Sequence, residues 1–418
     1  MSAKQEIHPL ENELRHYPSR TVQVFKTTHL TRILRKHIHE TDADKNRKEF
    51  NCEQWIKSLF LMQIHKFKAV RPFVRQLEQN KPWQVICGYQ GNVPTQGQYS
   101  RKIPDQRIQK VLVQTFQTYQ HLIPMTHKKF PNSPSSAEFT LLQQGYYPFR
   151  IDCTSLKLSS DRYPYATWGY VSSEKQAFPS ARIHMIQEGI HGFIANYGPS
   201  GGHEHESPIA EVLLNETEEI NNWLSANSIT DRPQPFMIFD RGYWKLTRFQ
   251  DLDTRGWGWS IPWKKRTLIG VQMEMLKFPQ AEDSPLEILV WGSKTDKPWR
   301  RIIGKLDSSS DSFWNVLTND LSLPPLTVLQ LQKKRWGIET LFQWIKQHTT
   351  IKRPLGKSWM SFVTHCLLVT LLQIILFYYL LLLGLTRWQD HITLLLENLR
   401  YSDLEPLPDC YLIAERLS

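Results

Sequence analysis

Along residues 22–80 apolar side chains return every three or four positions, as at Trp55, Leu59, Phe60 and Ile64, and this spacing predicts helices. The stretch 87–105, CGYQGNVPTQGQYSRKIPD, is rich in turn formers, after which QRIQKVLVQTFQTYQHLI resumes helical periodicity. Pro131, Asn132, Ser133, Pro134, Ser135 and Ser136 read as a linker. Beyond it the pattern changes to that of strands. YPFRID, ending at Asp152, ATWGYV (166–171), ARIHMIQ (181–187) and HGFIANY (191–197) are predicted strands, the last two joined by a short turn at Glu188, Gly189 and Ile190. A helix follows in PIAEVLLNETEEINNWL, a strand in PFMIFD ending at Asp240, a helix in RGYWKLTRFQDL and a strand in GWGWSIPW. Residues 267–306 read as β structure, LEILVW most clearly, and FWNVLT (313–318) as the last strand. From Pro325 to about Thr350, a proline start and Gly337 as the only interior breaker predict a single helix.

Three strands, helix, strand, helix, strand, helix, with a late β-rich stretch, is the order of a mixed α/β layer fold. The segment from Phe362 to Leu385 is apolar and long enough to span a bilayer. Thr364, His365, Thr370 and Gln373 interrupt it and no second such segment exists, so a helix buried on all sides is expected, with no membrane partner.

Charge changes the picture. The chain has 418 residues and a net charge of +11, enough length for two or three domains. Residues 1–150 hold 23 Lys and Arg against 11 Asp and Glu, whereas the remainder holds 28 against 29. The whole excess lies in the first third, as expected of a front end that binds a polyanion. There Arg101 and Lys102, beside Tyr99, are candidate contacts to a nucleic-acid backbone. Lys264, Lys265 and Arg266, which close RGWGWSIPWKKR, are candidate phosphate contacts, while Trp257 and Trp259 in that run read as core. The cysteines (Cys52, Cys87, Cys153, Cys366, Cys410) are scattered without a CxxC pair, which argues against a disulfide framework or zinc ribbon and fits a reducing interior. MSAKQEIHPLENELRHY lacks the apolar core of a secretion signal, so a cytoplasmic, nucleoid-associated location is expected.

The candidate chemistry centres on KRWGIETLFQWIK (334–346). On a helix Arg335, Glu339 and Lys346 fall within ~40° of one another. Taken alone, that stripe is also what a surface ion-pair ladder looks like, worth a few tenths of a kcal/mol. Asp152 and Asp240 end predicted strands, where open α/β sheets place ligands. Two aspartates and a helical glutamate could hold two divalent ions ~3.5–4 Å apart, the arrangement that clamps both oxygens of an in-line phosphoryl displacement. Arg335 and Lys346 could then meet substrate phosphates. The run GGHEHESP (201–208) reads instead as a helix-entry loop, with Ser207 capping before Pro208.

Together IDCTSL at Asp152, FDRGYW at Asp240 and RWGIETLFQWIK at Glu339 resemble the three catalytic blocks of DDE transposases of the insertion-sequence IS4 type. That family's last block is Y-x2-R-x3-E-x6-K. Arg335, Glu339 and Lys346 match its spacing, Gln332 stands in place of the tyrosine, and Arg241 and Tyr243 match the D-R-G-Y run. The likeness covers about residues 85–385. It implies an RNase H-like mixed-sheet catalytic core with a β-strand insertion between the second aspartate and the glutamate, preceded by a helical N-terminal region. It implies two Mg²⁺ or Mn²⁺ ions on Asp152, Asp240 and Glu339, with Arg335, Lys346, Arg241 and Tyr243 supporting catalysis or touching phosphates. It further implies cut-and-paste transposition: hydrolysis at transposon-end inverted repeats, 3′-hydroxyl transfer into target DNA, and a homodimer when synapsed. One of Trp291, Trp299 and Trp314 would be a candidate to stack on a flipped end base. The expected organisation is a helical basic DNA-binding region (1–130), a linker (131–146), a first core part (147–266), the insertion (267–312), a second core part (313–386) and a C-terminal helical tail (387–418).

Overall fold

The computed structural model describes residues 20–44, 49–127, 135–171, 174–204, 208–217, 234–264, 272–277, 285–291, 297–306, 313–385 and 388–402. The chain divides into two compact units, Met1–Tyr119 together with Lys346–Ser418, and Gln120–Ile345.

The first unit is helical. Its helices begin where local chemistry satisfies their free N–H groups. Asn51 and Gln54 form a reciprocal capping box at the start of the helix Cys52–Ile64, and Thr95 and Gln98 do the same for Gln96–Lys102. The apolar segment forms the helix Trp359–Leu382, 94% buried over its most apolar window. It packs against Cys52–Ile64, Arg20–Thr27 and Trp388–Ser402. The expected division put this helix with the catalytic core, but its contacts group it with the N-terminal helices. A helix apolar on every side needs neighbours all around, and other helices supply them here. The polar residues that interrupt it are used inside the unit. His365 accepts the Leu355 N–H through Nδ1 (3.0 Å) and meets Thr350 Oγ1 through Nε2 (3.3 Å), while Thr364 Oγ1 accepts from Gln109 Nε2 (2.7 Å).

The second unit is built on one ten-stranded sheet. Its strands are β1 Tyr146–Lys157, β2 Thr167–Val171, β3 Gln176–Glu188, β4 Ile194–Gly201, β5 Gln234–Phe239, β6 Gly258–Pro262, β7 Gln272–Lys277, β8 Leu286–Trp291, β9 Trp299–Gly304 and β10 Trp314–Thr318. β3 runs antiparallel to both β4 and β1, and β5 and β6 are then added parallel to β1. That order, β4-β3-β1-β5-β6, with a helix at 208–217 crossing from β4 to β5, is the RNase H-like arrangement. β2 pairs with the outer end of β3.

The insertion continues the same sheet. β10 pairs on one side with β6 and on the other with β9, and β8 and β7 follow as an antiparallel meander. Helices cover both faces. Trp259 and Ser260 point to opposite sides of β6, as neighbours on a strand must. Trp259 stacks on Phe249 of the helix Leu246–Thr254, while Ser260 bonds to Gln332 of the helix Pro325–Lys334.

Three local expectations need correction. The linker 131–146 contains the helix Ser136–Gln143, nucleated by a capping box between Ser135 and Glu138; residues 131–134 lie outside the described residues. β1 does not stop at Asp152 but runs on to Lys157, because β3 pairs with it through Lys157↔Ser180. The single helix expected from Pro325 to Thr350 is two, Pro325–Lys334 and Trp336–His348, with a tight turn at Arg335. There the Arg335 and Ile338 N–H groups bond three residues back instead of four. Ser207, the expected cap of the 208–217 helix, lies outside the described residues.

Candidate active site

Register brings the two aspartates side by side. The parallel pairing of β1 with β5 ends at Ile151↔Phe239, so Asp152 and Asp240 are the next residues on adjacent strands, whose axes lie ~4.8 Å apart. Beyond this point β5 gives way to a 3₁₀ turn, Arg241–Tyr243, which the Asp240 carboxylate caps by accepting the Gly242 N–H (3.1 Å). The Asp152 carboxylate accepts the Cys153 N–H (2.8 Å). Each aspartate thus has its backbone fixed by sheet or turn and part of its carboxylate left over.

The glutamate arrives from the other side of the sequence through one arginine. Arg335 Nη1 lies 2.7 Å from Asp152 Oδ2, and Nη2 lies 2.7 Å from Glu339 Oε1 and 3.5 Å from Asp240 Oδ1. A guanidinium is a small planar fork, so three carboxylates touching it are gathered around one point. Burial pushes the Asp152 carboxyl up to about 7; the Arg335 charge opposes that shift and the Asp240 and Glu339 charges add to it. Arg335 is held in its charged form: burial opposes the charge, but the three carboxylates outweigh it.

The turn that carries Arg335 is braced from beneath. Arg150, two residues before Asp152 on β1, donates to the Gly189 carbonyl (2.6 Å), to Glu138 Oε1 (3.3 Å) and to Gln187 Oε1 (3.4 Å). Glu138 also pairs with Lys334 (2.8 Å), the residue before Arg335. A Cβ on Gly337 would fall 2.8 Å from Arg150 Nη1, so this position accepts only glycine without a shift. The sequence reading passed over Arg150. Its signal was a lone cation inside the apolar strand YPFRID, a place where an unpaired charge is seldom tolerated.

The other expected residues are dispersed. Lys346 lies in the last turn of the helix that carries Glu339. Arg241 is exposed beside Asp240. Tyr243, expected at a phosphate, is instead 1% exposed: its hydroxyl meets buried His184 (3.4 Å) and Arg248 lies over its ring. The ring is packed into the interior here, between His184 and Arg248. His184, held at about 3 by burial with the Arg182 charge adding to the effect, stays neutral in that packing. Lys264 is exposed at the end of β6, whereas Lys265 and Arg266 lie outside the described residues. Arg101 is exposed in the helical unit, and its neighbour Lys102 is engaged with Asp105 (2.8 Å). Trp299 cannot stack on a base. It is 1% exposed, T-packed on Trp259, and its indole donates to Asp253.

Among the described residues no three His, Cys, Asp or Glu side chains are drawn together closely enough to hold one ion, and Asp152, Asp240 and Glu339 each contact Arg335 instead. The donor set nonetheless fits hard divalent cations. It consists of carboxylate oxygens with acidic charge in excess of the one arginine, and the Asp240 and Glu339 side chains are 38% and 29% exposed, open to entry.

Residues 143–375, more than half of the chain, match the transposase DDE domain family. The y4zB protein of Sinorhizobium fredii, which bears the name of a transposase, is 38% identical over 82 residues, 19% of this chain and 22% of that protein, so the aligned part spans about a fifth of the relative. A cryo-EM structure of the piggyBac transposase synaptic complex with hairpin DNA superposes with a TM-score of 0.44 at 14% identity, covering 94% of this chain and 83% of that one. A score of that size carries no weight on the fold, which rests on the strand order. With Asp152, Asp240 and Glu339 collected at the end of its central strands inside the matched segment, the chain belongs to the transposase DDE domain family.

Proposed function

We propose that this protein is a cut-and-paste DNA transposase, acting on the inverted repeats at transposon ends and on target DNA. The observation that carries this reading is the shared contact of Asp152, Asp240 and Glu339 with one guanidinium: residues 187 positions apart in sequence have no structural need to meet around a single cation. The excess acid favours an additional positive charge there.

Asp152, Asp240 and Glu339 would hold two Mg²⁺ or Mn²⁺. When bound, the ions supply Lewis-acid activation and a water acidic enough to be a nucleophile near neutral pH. The protein's own groups do the rest. Asp152, whose carboxyl burial raises to about 7, would have to be deprotonated to hold an ion. Arg335, relieved of its three carboxylates, becomes available to a phosphate, and exposed Arg241 flanks the same point. In the first reaction water adds to the end phosphorus and the transposon's 3′-oxygen leaves. In the second that 3′-hydroxyl attacks a target phosphorus, forming a new 3′-O–P bond as the target's own 3′-oxygen departs. The hydrolysis turns one phosphodiester and one water into a 5′-phosphate and a free 3′-hydroxyl, and the transfer exchanges one phosphodiester for another while releasing the target's 3′-hydroxyl. Two ends must be held together, so a homodimer on DNA is the simplest assembly, with the basic N-terminal third, Arg101 included, and Lys264 to Arg266 gripping backbone.

The test uses the inverted repeats read from DNA flanking the reading frame. Full-length protein with Mg²⁺ should nick at the repeat boundary and join a pre-cleaved end to a plasmid, and Glu339→Gln should abolish both. Cleavage with no joining of pre-cleaved ends would make the protein a plain nuclease. Neither reaction, in the presence of bound end DNA, would leave a DNA-binding protein.

A further inference from the structure

Gln332, which stands where the family pattern has tyrosine, is 1% exposed and faces the sheet. Its Oε1 accepts from Ser260 Oγ of β6 (3.1 Å), and its Nε2 donates to the Phe239 carbonyl of β5 (2.9 Å). The ladder between β5 and β6 ends at Ile238↔Ser260, so Phe239 lies one residue beyond it, and the residue after Phe239 is Asp240. Phe239 is still matched with Ile151 of β1, but the ladder with β6 has ended there, and a buried carbonyl must find a donor. A strand would satisfy it anonymously. Here the donor comes from the last turn of the helix that leads into Arg335 and, across the tight turn, to Glu339. One side chain therefore ties the backbone before the second aspartate to the backbone before the arginine and the glutamate.

We propose that Gln332 is a positioning residue that fixes the spacing of Asp240 from Arg335 and Glu339, and with it the affinity of the site for divalent ions; this rests on the metal-binding reading above. A tyrosine at this position would offer no amide donor, so the present chain has exchanged whatever that side chain does for a brace. Groups that orient metal ligands typically contribute 10–100-fold in affinity. A residue that merely filled the core would contribute to stability alone.

The experiment is a Mn²⁺ titration of the full-length protein, following the electron paramagnetic resonance signal of free Mn²⁺ alongside thermal unfolding. Gln332→Met should fold and bind Mn²⁺ about 10-fold more weakly. Ser260→Ala, which keeps the bond to Phe239, should bind as wild type. Val316→Ala, a cavity in the same layer, should lower the unfolding temperature without changing Mn²⁺ affinity. Gln332→Leu removes both bonds as well; it should weaken Mn²⁺ binding as Gln332→Met does, and it carries the test if the methionine variant does not fold. Wild-type affinity in the Gln332 variants, with Glu339→Gln clearly impaired, overturns the positioning role alone. Equal Mn²⁺ binding by wild type and Glu339→Gln overturns the metal reading itself.

Discussion

Replacing Arg335 by methionine keeps most of the aliphatic stem and removes the cation that three carboxylates share. Two contacts at 2.7 Å and one at 3.5 Å are lost. Hydrogen bonds to charged groups are worth about 1.5–3 kcal/mol each when buried, and the partial exposure of Glu339 and Asp240 discounts their share. A net loss of about 2–3 kcal/mol follows, or roughly 5–10 °C in the unfolding of a unit this size. Divalent ions should narrow this gap. In the wild type an ion must displace Arg335 from the oxygens it needs, whereas in Arg335→Met the same oxygens are unclaimed. Mn²⁺ at ~100 times its dissociation constant stabilises by about 2.7 kcal/mol, so the variant should recover most of its deficit. Differential scanning calorimetry of the full-length protein at pH 7.5, with and without Mn²⁺, reads both quantities. If the variant is as stable as wild type without Mn²⁺, or gains no more from Mn²⁺ than wild type does, Arg335 and the ions do not compete for the same carboxylates.

Further outcomes follow from single contacts. Gly337→Ala should destabilise by about 1–2 kcal/mol in urea titration, since its Cβ would press on Arg150 at 2.8 Å; the stabilisation that alanine gives in an open helix would refute the close approach. Glu188, which caps the β3–β4 turn by accepting the Ile190, His191 and Gly192 N–H groups, is opposed by burial, yet His191 and those N–H groups bring its carboxyl down to about 2. A depressed carboxyl contributes fully above its unfolded value near 4.3 and loses its contribution as pH falls toward 2. The stability gap between wild type and Glu188→Gln should therefore shrink as pH falls from about 4 toward 2, and a gap that widens over that range would contradict it. Asp253 accepts from the Trp259 and Trp299 indoles and from Asn319, so Asp253→Leu should cost at least ~3 kcal/mol in urea titration; wild-type stability would count against the cluster.

Which parts of the site could be read from sequence depends on how far a contact reaches. The strand ends at Ile151 and Phe239, the helix around Glu339 and the heptad-like spacing of Arg335, Glu339 and Lys346 are local patterns, and the three acidic blocks stood out because each sits in a recognisable local frame. Tyr243 shows the limit of such a frame. Its position after Asp240 suggested a phosphate, but burial against His184 depends on β3, some sixty residues upstream. The helix break at Arg335 was missed for a similar reason. Nothing in KKRWGIE forbids a continuous helix, and the turn is stabilised by Asp152 and Arg150, which come from another element.

The sequence by itself determined the periodicities, the basic bias of the first third and, apart from the helix Ser136–Gln143 and the break at Arg335, the order of strands and helices, because these depend on interactions within a few residues. Only the tertiary structure decided that the insertion would extend the central sheet through β10, that the apolar helix Trp359–Leu382 would join the N-terminal helices, and that one arginine would collect three distant carboxylates. Pairing of strand edges and burial of faces are settled between segments far apart in the chain. A residue's neighbours in space, and with them its charge state and its role, come into being only when those segments meet.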